Sequence, residues 1–95
     1  MNKEKKTFEE KMEAEIKQLD TKLSEIQAEL EKAKEESRPE YEKAVAELKE
    51  KRYALEVKMR ELKKSGDQAW SELKSGIESA YREIRDAADS AAAKF

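Results

Sequence analysis

Beginning at Phe8, the apolar residues recur at Phe8, Met12, Ile16, Leu19, Leu23, Ile26, Leu30 and Ala33. Every step is three or four residues, which keeps them on one face of an α-helix. Between Ile16 and Ala33 the steps alternate three and four with charged neighbours on both sides, the pattern of a heptad seam. Thr7 with Glu10 has the spacing of a capping box, so the first helix is expected to start at Phe8. A second stripe follows at Tyr41, Val45, Leu48, Leu55, Met59 and Leu62, with Arg52 in the seam, where its stem can pack and its head reach water.

The stretch KKSGDQAW, residues 63–70, reads as punctuation. Lys63 and Lys64 suit the negative end of a helix, and Gly66 can take the left-handed backbone that closes one. Asp67, or Ser65 with Gln68 three residues on, can open the next helix. Ser65, Gly66 and Asp67 are therefore expected to form a tight turn between antiparallel helices. A third stripe, carried by Trp70, Leu73, Ile77, Tyr81, Ile84, Ala88, Ala91 and Phe95, defines the returning helix. Trp70, Leu73, Ile77, Tyr81, Ile84 and Phe95 are its expected packing anchors.

The stretch ESRPEY, residues 36–41, admits two topologies. Pro39 removes a backbone donor, and Ser37 with Glu40 could cap a new helix carrying proline in its first turn. That reading gives three segments, about 8–36, 39–64 and 67–95, and a three-helix bundle. Against it, no Gly or Asn lies nearby to close the preceding helix. Leu30, Ala33, Ser37, Tyr41, Val45 and Leu48 also hold the straight-helix period across the proline. The phase favours an all-α antiparallel hairpin whose long first helix is kinked near Pro39, with the three-helix bundle as the alternative.

Composition narrows the rest. The 95 residues suffice for one small domain, 1–95, and with 46% charged and 37% hydrophobic residues no thick core can form. Two glycines and one proline are too few for a disordered linker. The 21 basic and 23 acidic residues are interleaved, so no basic stripe is offered to nucleic acid. By segment the balance is uneven: 8 basic and 11 acidic residues over 1–36, 9 and 6 over 37–66, 4 and 6 over 67–95. The basic middle is the natural neighbour of both outer segments. No cysteine or histidine is present, which removes thiolate and imidazole ligands and the commonest general base. No long apolar run or signal-like N-terminus occurs, so a cytoplasmic protein is expected.

The residues from Ser65 onward, SGDQAWSELKSGIESAYREIRDAADSAAAKF, follow a charged helix that includes KMEAEIKQLD. This arrangement resembles that of a family of small bacterial coiled-coil domain-containing proteins. Its most specific features here are Ser65, Gly66 and Trp70, then Leu73 and Phe95. Pro39 departs from the uninterrupted helix of that pattern. The resemblance implies a helical coiled-coil fold and no particular chemistry.

Candidate catalysis is weak. Paired carboxylates such as Glu9/Glu10 and Glu35/Glu36 need a desolvated pocket to become acids or bases, and the serines have no histidine to activate them. No calcium-loop pattern of alternating Asp/Asn around a glycine occurs. No enzyme, cofactor, metal or small-molecule substrate is expected. A seam left bare by a kinked helix would have to meet another helix. Ile16, Leu19, Leu23, Ile26 and Leu30 are the expected interface, in a homo-oligomer or with another helical protein. The alternative is an amphipathic, stress-protective protein at a membrane surface, disfavoured because the last helix lacks a Lys/Arg-rich polar face.

Overall fold

A computed structural model describes residues 3–94. It contains three helices and, among the described residues, no strand: α1 (Lys3–Lys32), α2 (Arg38–Lys64) and α3 (Ala69–Lys94). All three pairs of helices pack together, so the molecule is an up-down-up bundle of 53 × 17 × 17 Å. The all-α class and the return of α3 after Gly66 agree with the sequence. The long kinked first helix does not: α1 stops at Lys32 and the chain reverses over residues 33–37.

The reversal wins on burial. Phe8, Met12, Ile16, Leu19 and Ile26 of α1 are all buried in the bundle. Burying each is worth about 1.5–3 kcal/mol, so a projecting α1 would forgo roughly 8–15 kcal/mol of gross stabilisation. Interrupting one helix forgoes about four backbone hydrogen bonds at about 0.5–1.5 kcal/mol each, a smaller loss. Pro39 lies in the first turn of α2, where its missing N–H has no partner to lose.

The turns are made differently from the residue signals. No described residue has positive φ, glycines included, so neither helix closes with a left-handed cap. At the first turn the Ala33 N–H donates to the Leu30 carbonyl at 3.1 Å, tightening the last turn of α1. Ser37 is the N-cap of α2 with a helical backbone and no side-chain capping bond, so the expected Ser37–Glu40 box is not made. At the second turn Ser65, not Gly66, ends α2. Its backbone is extended, and its N–H and hydroxyl both donate to the Leu62 carbonyl, at 3.1 and 2.6 Å. The Trp70 N–H reaches back to the Gly66 carbonyl at 3.2 Å, opening α3. Helix α1 extends back to Lys3, so Thr7 lies inside it rather than capping it.

The core is a single column from Phe8 and Trp70 at one end to Ile26 and Ala91 at the other, with Leu55, Leu62 and Ile77 fully buried along it. No polar or charged residue is buried among those described, so the interior specifies packing alone.

Candidate helix-packing interface

The predicted interface residues lie inside the molecule. Ile16, Leu19 and Ile26 are buried, and Leu23 and Leu30 are partly buried against the same core. The heptad seam is therefore not bare: the chain's own α2 and α3 cover it. Of the predicted anchors, Trp70, Ile77 and Ile84 are buried, and Leu73 and Tyr81 are partly buried against them. Phe95 lies outside the described residues. Ser65, Gly66 and Asp67 do lie in the turn between α2 and α3.

Helices α2 and α3 pack on each other more extensively than either packs on α1. They form a hairpin, and α1 lies along the groove between them. Leu48, Leu55, Met59 and Leu62 supply buried residues from α2, and Trp70, Ile77, Ile84, Ala88 and Ala91 from α3. The groove narrows or opens with the side chains that α3 offers. At the Trp70 end the indole meets Phe8 of α1, with ring centroids 6.2 Å apart and tilted by 40°. The Lys74 ammonium lies over both rings, 5.6 and 5.8 Å from their centroids. At the opposite end the buried residues of α3, among those described, are Ala88 and Ala91. Between α1 and α3 this leaves a depression of about 410 Å³ whose lining includes Ile26, Tyr41, Ala91 and Ala92, rimmed by Lys22, Glu25 and Glu29.

Charge aligns α1 in its groove. The Arg52 guanidinium donates to both carboxylate oxygens of Asp20, at 2.6 and 3.0 Å. This planar, two-bond contact fixes the axial position of α1 against α2. The Asp20 hydrogen bond, more than any other cause, holds Arg52 even further above its ordinary range. The seam position of Arg52 predicts a head in solvent; half-buried, the side chain instead grips α1. Nearer the Trp70 end the Lys63 ammonium meets Glu13 at 2.8 Å, and the hydrogen bond to Glu13 pushes the Lys63 pKa up. Lys22 of α1 pairs with Asp89 of α3, and Lys51 of α2 with Glu83 of α3 at 3.0 Å. The basic middle helix thus neighbours both outer ones, as its charge balance predicts. These pairs are solvated, worth roughly 0–1 kcal/mol each, and they select register more than they stabilise.

One contact was not legible in the sequence. Lys5 donates from its ammonium to the Ser65 carbonyl at 2.6 Å and the Lys63 carbonyl at 3.4 Å, closing the C-terminus of α2 with a residue 60 positions away. A cation at a helix C-terminus is favourable, yet nothing local identifies which lysine will supply it.

No family model matches the chain, and neither the curated proteins nor the solved structures contain a significant match to it. Among the described residues no helix is long and apolar enough to cross a membrane, and no group of three or more acidic residues could hold a metal ion.

Proposed function

We propose that this chain is a protein-interaction module in which the α2–α3 hairpin receives an amphipathic helix. One observation carries the reading: the apolar seam from Ile16 to Leu30 lies in a groove each of whose walls, α2 and α3, packs more extensively on the other than on α1. A groove of this kind recognises apolar residues at i, i+3, i+4 and i+7 spacing, and its acidic and basic edges set direction and register. The ligand is thus a helix with the apolar spacing of α1 and an acidic residue placed to meet Arg52. It comes from the same chain, from a second copy or from another helical protein. The protein works by association and carries out no chemical step.

The test is a fluorescent peptide of residues 8–32 titrated with the whole protein and read by anisotropy. Saturable binding, lost in the peptide carrying Leu19→Asp and Ile26→Asp, is the expected result. Identical behaviour of the two peptides up to millimolar protein would overturn the reading. The membrane-surface alternative requires α3 to release Trp70, Ile77 and Ile84 from the core. It predicts a gain of lipid-bound helix on anionic vesicles, with a blue shift of the Trp70 emission.

A further inference from the structure

The first turn keeps the geometry of the helix it interrupts. Only Ala33 and Lys34 lie outside any helical turn. The Arg38 N–H already donates to the Lys34 carbonyl at 3.0 Å, and the Tyr41 N–H to the Ser37 carbonyl at 3.3 Å, both four residues back. Ser37 has φ −92° and ψ −16°, a right-handed helical backbone. The apolar faces agree as well. At about 100° per residue, the buried residues of α1 and α2 project onto one continuous helix within an arc of about 100°, from Phe8 to Leu62. A reversing turn has no need of that coincidence, since each helix could present its face at any rotation. A helix continuous from α1 into α2 requires it.

We infer that two copies of this chain exchange α1, and that Pro39 is the residue that holds the monomer closed. This rests on the reading of the α2–α3 hairpin as a helix receiver and names a second copy as the source of the helix. On exchange, residues 33–37 become helical and join α1 to α2 in a single helix over 3–64, about 90 Å long at 1.5 Å per residue. Two such helices run antiparallel, each α1 lying on the other copy's α2 and α3. Every buried contact of the bundle is kept, and the Asp20–Arg52 pair re-forms between chains in the same register. The difference between the two forms is confined to the hinge. In the closed bundle Pro39 sits in the first turn of α2, where it needs no partner. In the long helix it lies in the interior, where it lacks an N–H for the Glu35 carbonyl and its ring crowds that oxygen. Pro39 therefore disfavours the open chain and raises the concentration at which two copies exchange.

The test uses the whole protein, with Pro39→Ala to populate the open form. Light scattering coupled to size exclusion is expected to show the wild type shifting towards twice the 11.0 kDa chain mass as concentration rises. Pro39→Ala is expected to lower the apparent dissociation constant at least tenfold. Exchange is then separated from ordinary dimerisation by charge. In the Pro39→Ala background, Asp20→Arg opposes two cations in a homodimer and Arg52→Asp opposes two anions. Mixed in equal amounts, an exchanged heterodimer pairs opposite charges in both halves, so the mixture is expected to dimerise more tightly than either chain alone. Dimers with no preference for the mixed pair would overturn exchange while leaving helix reception standing. A monomer at every concentration, Pro39→Ala included, would also overturn exchange; the peptide titration then decides separately whether the groove receives a helix.

Discussion

Replacing Leu19 by Ala tests whether α1 is packed along its length or projects. Leu19 is 3% exposed, midway along α1, in the core that all three helices share. Removing a buried leucine side chain to alanine costs about 2–5 kcal/mol, the transfer energy of the lost carbons plus the cavity left behind. The bundle is only 17 Å across, so its walls can move inward and the cost should fall in the lower part of that range, about 2–3 kcal/mol. Helix propensity offsets little, since Leu and Ala are both good formers. A domain of this size has about 5–14 kcal/mol of stability and loses about 4–8 °C of Tm per kcal/mol, so Leu19→Ala should melt about 10–20 °C lower. The assay is thermal unfolding followed by circular dichroism at low micromolar concentration. Gln27→Ala, exposed on the same helix, serves as the control and should stay within about 0.5 kcal/mol. If Leu19→Ala cost no more than Gln27→Ala, α1 would not be held by the hairpin and the bundle described above would be wrong.

The turn geometry predicts that Gly66→Ala is tolerated. Gly66 has no positive φ and a Cβ there meets nothing within 4 Å, so urea unfolding should show a gain of about 0.4–1 kcal/mol from the stiffer unfolded chain. Gly76→Ala, inside α3 with only the Lys58 ammonium 3.9 Å away, should stabilise by about 0.5–1 kcal/mol in the same measurement. A double-mutant cycle on Asp20→Ala and Arg52→Ala should return a coupling of about 1 kcal/mol, reduced in high salt; zero coupling would remove the register role given to that pair. Burial foremost, then Glu15, raises the Tyr81 pKa above its ordinary 10.0, against a smaller opposing effect of Arg85. A raised folded pKa contributes stability that is fully present below the unfolded pKa and lost as pH rises through the folded one. Chemical denaturation above pH ~10 should therefore show a decline that Tyr81→Phe lessens; an unchanged decline would place its cause elsewhere, Lys63 being the next group to examine.

Local pattern carried the elements and most of the core. The stripes beginning at Phe8, Tyr41 and Trp70 each became one buried helix face, because a residue's face on a helix follows from its number alone. The break at Gly66 was legible too, although its mechanism was not. Gly66 suggested a left-handed cap, while the chain turned on an extended Ser65 bonded to Leu62 and on the Lys5 ammonium. The first depends on a two-residue backbone choice and the second on a lysine brought in by the fold. The seam from Ile16 to Leu30 pointed to a helix of a second copy or of another protein, whereas the chain's own α2 and α3 cover it. Which helix covers it was beyond periodicity, since the chain's own hairpin and a second copy present the same chemistry.

Pro39 shows where the division lies. Although α1 stops earlier, at Lys32, the sequence by itself determined that the stretch around Pro39, residues 36–41, is a weak point between two helices whose apolar faces are in phase. That follows from propensity, hydrogen-bond donors and the 3.6-residue period, all local quantities. Its charge balance also offered the basic middle segment to both acidic neighbours, although α1 and α3, both acidic, pack on each other as well. Only the tertiary structure decided that the helix breaks there, that Arg52 turns to Asp20 and that α1 fills the groove of α2 and α3. Those outcomes compare the burial of a whole helix face with a few hinge hydrogen bonds. That comparison depends on what lies across the groove, which no window along the chain contains.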